Sequence, residues 1–199
     1  MPYQKNLGIE PYFKPRNMDW YIMYQSQYKR IYMKTVFIED QEQIDEIINS
    51  CDLCHLGVID TEGRPYVVPM NFGYLDGYIY LHGGNFGKLI DSLKKNPDAC
   101  ITFCTDTVLA FQNVEVACSY RVKGKSIVAR GAIEFILDFD TKVDSLNALM
   151  SQFTDKKFTY NSPAIKNVEV YRMKLDDFTA KEFGKLNEQT FPWMKKHGR

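Results

Sequence analysis

A chain of 199 residues in which 25 basic side chains balance 25 acidic ones has no global field to attract nucleic acid or an anionic membrane. Its 45% hydrophobic and 25% charged residues are the balance of a soluble globular protein, and the length suits one domain better than two. No run approaches the ~18 apolar residues of a spanning helix and no basic head with an apolar stretch marks a secretory signal. The expectation is a cytoplasmic protein with neither membrane nor nucleic acid as partner. The five cysteines are then expected to be free thiols.

Residues 1–35 crowd Tyr3, Tyr12, Phe13, Trp20, Tyr21, Tyr24, Tyr28 and Tyr32 into a stretch with neither helical nor strand period. It reads as an aromatic arm or as sequence upstream of a start at Met33. From there the signals are regular and place one domain over residues 36–182, with a tail over 183–199. Asp40 is suited to cap a helix that carries Ile44, Ile47 and Ile48 on one face and ends near Ser50. Leu53–Asp60 and Pro65–Tyr74 read as two strands of a hairpin around Thr61-Glu-Gly63. Asp76-Gly77 between Tyr74 and Tyr78 is a strong signal for a tight turn with positive φ at both positions, so Tyr78–Leu81 is a further strand. Leu89, Ile90 and Leu93 have helical spacing before Asn96-Pro97 ends the helix, and Ala99–Cys104 is the next strand. Val114–Ala117 and Ser126–Leu137 read as strands, Asp138 and Asp140 open a helix carrying Val143, Leu146, Leu149 and Met150, and Asn167–Leu175 alternates as a last strand. Six or so strands in consecutive hairpins, without repeated βαβ crossovers, imply a mainly β, antiparallel barrel with helices outside it.

Chemistry concentrates in His82-Gly-Gly-Asn-Phe-Gly-Lys88, where a strand runs into a helix. Glycines let a ligand approach the backbone, the first helical N–H groups lack partners, and a lysine adds charge, a combination suited to a phosphate. The spacing matches neither the dinucleotide-binding fingerprint nor the Walker loop. His82 can contact such a ligand, donate a proton, or satisfy the backbone at a strand end. Cys51-Asp-Leu-Cys54-His55 has the form of a covalent haem attachment site, but that chemistry requires export, and two thiols at a helix-to-strand junction are the simpler reading. No second close cysteine pair completes a metal site. Lys156-Lys157 and the basic tail at 195–199 read as solvated ends.

The series Gly63-Arg-Pro-Tyr-Val-Val-Pro-Met-Asn-Phe-Gly-Tyr74, then Asp76-Gly77, then Ile79-Tyr-Leu-His82 resembles the flavin-binding split-barrel family that includes pyridoxamine 5′-phosphate oxidases, and within it the nitroimidazole-resistance branch. The resemblance implies a six-stranded antiparallel split β-barrel of Greek-key type with peripheral helices. It implies a two-fold homodimer with the flavin between subunits, FMN rather than FAD as cofactor, a nicotinamide cofactor or another electron donor, and a small acceptor such as a nitro-aromatic compound. A non-catalytic flavin- or haem-binding carrier or sensor on the same fold is the alternative. By resemblance Val68, Pro69, Met70 and Asn71 lie along the isoalloxazine ring; His82, Gly83, Gly84 and Lys88 meet the phosphate; Ser126 approaches from a later strand. His82 is expected to touch the cofactor rather than to act in catalysis. One departure stands out: many members of that branch carry two adjacent basic residues where this chain has Lys88 followed by Leu89, so either phosphate affinity is weaker or a basic residue from elsewhere, such as Lys123 or Lys125, compensates. The Arg-x-His element by which the oxidase itself holds its substrate is also absent.

Overall fold

The computed structural model describes residues 34–185; the aromatic arm and most of the tail lie outside the described residues. Every strand pairing is antiparallel, and the strands divide between two sheets that do not close into one barrel. The larger sheet runs β1 (Lys34–Ile38), β11 (Asp177–Lys185), β8 (Arg121–Ala132), β6 (Asp98–Cys104), β2 (Cys54–Ile59), β3 (Pro65–Met70), with β7 (Val108–Ala110) also on β8. The smaller runs β4 (Gly73–Leu75), β5 (Tyr78–Gly84), β10 (Val168–Lys174), β9 (Glu134–Ile136). This is the mainly β split-barrel architecture.

The local signals behave as their chemistry dictates. Asp40 accepts a hydrogen bond from Gln43 N at 3.0 Å and starts α1 (Gln41–Asn49), whose Ile44, Ile47 and Ile48 are buried. Asp76 and Gly77 both take positive φ, 51° and 74°, in the β4–β5 turn. Asp138 accepts from Thr141 N at 2.9 Å and starts α3 (Phe139–Met150). α2 (Lys88–Lys95) ends at Asn96, before Pro97.

Elsewhere the structure differs from the sequence pattern. Val114–Ala117 is no strand: Asn113 accepts from Glu115 N at 2.9 Å and bonds Ser119, which folds the segment into turns and a short 3-10 helix at Ala117–Ser119. The run 65–74 is two strands, because Asn71 and Phe72 carry the chain from one sheet into the other. β10 is not last; β11 follows and sits between β1 and β8. A fourth helix, α4 (Ser162–Lys166), starts at Asn161, whose side chain accepts from Ala164 N.

The main core lies between the sheets. Leu56, Ile101, Phe103, Ile127 and Ala129 of the larger sheet meet Ile79, Leu81, Tyr171 and Met173 of the smaller, and α1 and α2 add Ile47, Ile48, Ile90 and Leu93. A second core forms where α3 and α4 cover the other face of the smaller sheet, around Ile136, Leu146, Ile165 and Val170. There α3 lies directly on β4: a Cβ at Gly73 would fall 2.4 Å from the Leu149 Cα and 2.6 Å from the Ala148 carbonyl oxygen. Both are backbone atoms, so the helix would have to move. Gly73→Ala is therefore expected to lower stability by about 1–3 kcal/mol, the cost of overpacking a filled interior, as measured by urea unfolding.

Candidate functional site

β3 is the last strand of its sheet, and among the described residues its outer edge has no strand partner. Pro65 and Pro69, which have no N–H to give a ladder, are tolerated there for that reason. The strand alternates: Tyr66, Val68 and Met70 pack on the core, while Pro65, Val67 and Pro69 are exposed. A planar ligand laid along β3 would therefore meet backbone groups and the Val67 and Pro69 side chains; the Val68 and Met70 side chains point inward. Asn71, half-buried, ends the strand.

Opposite this edge, β5 runs out at His82, Gly83 and Gly84, and Asn85-Phe86-Gly87 leads into α2. Neither Gly83 nor Gly84 has positive φ. A Cβ would meet only the Tyr171 hydroxyl oxygen at 3.6 Å from Gly83 and the Phe86 carbonyl oxygen at 3.8 Å from Gly84. The protein itself thus leaves room for side chains here that the sequence does not fill. Gly87 takes φ 119°, which favours glycine, and supplies no side-chain cap, so the first N–H groups of α2 are uncapped by any side chain. Phe86 beside them is 85% exposed. Open glycines before an uncapped helix start suit an anionic group, and a bare strand edge suits a planar polar ring.

Two contacts join these parts. The Tyr171 hydroxyl, fully buried, donates to the Met70 sulfur at 3.7 Å and lies beneath Gly83, linking β3 to the end of β5. Lys88 Nζ lies 2.7 Å from Asp60 Oδ2 and 5.0 Å from the centre of the Tyr66 ring, linking the start of α2 to the β2–β3 hairpin. The Asp60 side chain is only 1% exposed. The lysine bond and the backbone N–H of Arg64 hold its carboxyl below the ordinary range, to about 2. The lysine expected at the phosphate is thus already bonded to a carboxylate, with half of its side chain exposed. Asp60 carries no motif signal of its own. Its legible clue is an acidic residue just before the Thr61-Glu-Gly63 turn.

The remaining candidates lie elsewhere. His82 pairs with Val170, so its imidazole is on the α3-covered face of the smaller sheet, opposite to Gly83 and Tyr171. Its Nδ1 is buried with no hydrogen-bond partner among the described residues, and burial lowers its pKa. Ser126 pairs with Cys104 and faces the outer surface of the larger sheet. It is three strands from β3, about 14 Å at ~4.8 Å per strand. Lys123 and Lys125 line a separate cavity of about 530 Å³ with Glu46, Ser50, Asp106 and Glu182, near the Cys104 end of β6, whereas Asp60 follows the β2 segment that pairs with the Ala99 end. Within one subunit, then, the structure brings Met70 and Gly83 together through Tyr171, and Lys88 and the β2–β3 hairpin together through Asp60 and Tyr66, whereas Gly84 pairs with Val168 on the His82 face of β5, and Ser126 and the two lysines lie elsewhere. Of the haem-like motif, Cys51 and Cys54 are buried thiols, Cys51 donating to the Ile47 carbonyl at 3.2 Å, and Cys54 is pushed up to about 12 by burial. His55 points out of the opposite face of β2. Among the described residues no group of His, Cys, Asp or Glu could hold a metal, and no helix is long and apolar enough to cross a membrane.

A family profile described as pyridoxamine 5′-phosphate oxidase matches residues 40–182. Among solved structures, the chain is similar to a candidate 5-nitroimidazole antibiotic resistance protein from Bacteroides thetaiotaomicron, with 41% identity, 80% of this chain and 95% of that one covered, and a TM-score of 0.70. In fold it is similar to the flavocytochrome Anf3 from Azotobacter vinelandii, with 21% identity, coverage of 84% and 81%, and a TM-score of 0.66. It is likewise similar to the FAD and heme binding protein from Mycobacterium smegmatis, with 16% identity, coverage of 82% and 80%, and a TM-score of 0.68. No curated protein sequence matches.

The buried His82 has a checkable consequence. Its folded-state pKa lies below the ordinary 6.5, so the unfolded chain binds the proton more readily. Its contribution to stability is complete above pH 6.5 and is lost as the pH falls from there toward the folded-state value. Stability measured by urea unfolding should therefore drop between pH 7 and 5, and this drop should shrink in His82→Gln. An unchanged slope in the variant would contradict the burial argument.

Proposed function

Because the chain belongs to the pyridoxamine 5′-phosphate oxidase family, as the match over residues 40–182 shows, we propose that it is a flavoprotein that binds FMN and acts as an oxidoreductase. The observation that carries this reading is the pairing of a strand edge that has no partner among the described residues with an open glycine floor and an uncapped helix start, tied together through Tyr171 and Lys88. The β3 backbone from Val67 to Asn71 orients the ring. Gly83 and Gly84 give the ligand chain close access, and the first N–H groups of α2 with Lys88 receive the phosphate. Bound there, the flavin would supply the electron transfer, and the protein contributes position and electrostatics. A nicotinamide cofactor as donor and a small nitro-aromatic compound as acceptor complete the proposal; the similarity to the candidate nitroimidazole resistance protein supports the acceptor class.

The working unit in this reading is a two-fold homodimer. The outer face of the larger sheet is uncovered among the described residues, with Phe37 63% and Val67 60% exposed, and it carries Ser126, Val128, Thr102 and Pro69 in register. A second copy on this face buries that surface and offers a way for Ser126 to reach a flavin on the partner's β3.

Protein purified with excess FMN is expected to retain a yellow flavin spectrum and to oxidise NADH or NADPH when a nitro-aromatic acceptor is supplied. Colourless protein that leaves FMN fluorescence unquenched would refute the flavin reading. Bound flavin without donor oxidation would instead make the protein a carrier or sensor. Light scattering should give the mass of two chains, and Val128→Glu, which places charge at the centre of the outer face, should give the mass of one.

A further inference from the structure

Asp60 accepts, at one oxygen, the backbone N–H of Glu62 at 2.9 Å and of Arg64 at 2.8 Å, and at the other the Lys88 ammonium at 2.7 Å. Its own N–H donates to the Arg64 carbonyl, and its carbonyl accepts from Gly63 N. A single buried carboxylate therefore shapes the β2–β3 turn and holds the first residue of α2. The last residue of the same helix is tied to the same turn, Lys95 Nζ donating to the Thr61 carbonyl at 2.7 Å. The helix is thus pinned at both ends to the hairpin whose outer strand is β3.

Resting on the flavin reading above, we propose that Asp60 is a positioning residue for the phosphate end of the cofactor. It acts through Lys88 and fixes the span between the edge of β3 and the start of α2. An ammonium has three N–H donors; one goes to Asp60, and the side chain is half exposed. Asp60 on one side and the Tyr66 ring on another hold the lysine in one pose, so a remaining N–H meets a phosphate without first ordering a flexible chain. The pose matters more here because Leu89 offers no second charge. Asp60 itself touches no part of the ligand.

The experiment compares FMN with riboflavin, which carries the same ring without the phosphate, by fluorescence titration of the purified full chain. In the wild type FMN should bind more tightly. Asp60→Asn should lower FMN affinity about tenfold, the worth of one charge-assisted hydrogen bond, and leave riboflavin affinity within about twofold of the wild type. Lys88→Met, which keeps both backbone bonds to Asp60, should reproduce that loss, and the double variant should be no worse than either single one, since both act on one contact. Asp60→Glu should recover part of the lost FMN affinity. Equal loss of FMN and riboflavin in Asp60→Asn, or unchanged FMN affinity in Lys88→Met, would overturn the inference while leaving the flavin reading in place. If Asp60→Asn fails to fold, Lys88→Met alone decides. A wild type that binds neither flavin would overturn both.

Discussion

The chain leaves one sheet and enters the other in two residues, Asn71 and Phe72, and the geometry of the whole molecule depends on that crossing. Phe72 is completely buried and meets Phe103 edge to face, with ring centres 4.9 Å apart and planes at 70°. Gly73 follows directly under α3, where no side chain fits. Held at both points, the chain cannot continue β3 along the larger sheet, and no later segment among those described pairs with its outer edge. The split between the sheets and the bare edge beside it are one structural fact.

A bare edge is normally a hazard, because unpaired backbone groups invite another strand. Here two prolines remove donors from β3, and the strand is only six residues long. What remains is a short row of polar groups next to an open glycine floor. Asp60 and Lys88 set the separation of the two, and Tyr171 fills the space below them with a phenol whose hydrogen-bond acceptor among the described residues is a thioether. Thioethers are weak acceptors. In the proposed site the contacts that stabilise the fold are also those that would position the ligand.

His82 and Ser126 show how strand alternation separates residues that lie close to the site in sequence or in family pattern. His82 adjoins Gly83, yet successive residues of a strand face opposite ways, so the imidazole belongs to the second core while Gly83 belongs to the first. Ser126 lies on the outer face of the larger sheet, at about the level of Asn71 but across two intervening strands. A single subunit therefore presents an incomplete set of the expected contacts, and the proposed homodimer is one arrangement that would bring Ser126 to the edge of β3.

The sequence by itself determined the elements whose signals are local. Asp40 and Asp138 cap helices, Asp76-Gly77 turns a hairpin and Asn96-Pro97 stops α2, because each effect acts within a few residues. The glycine-rich junction at 82–88 and the family itself were legible for the same reason: the pattern is contiguous. β11 was not, since its residues show little apolar alternation although it lies inside the larger sheet, and its place depends on β8 and β1 rather than on its own pattern. Only the tertiary structure decided that 65–74 divides between two sheets, that His82 turns away from Gly83, and that Lys88 is bonded to Asp60. Each of these depends on partners distant in the chain, and burial and pairing between distant segments leave no local trace.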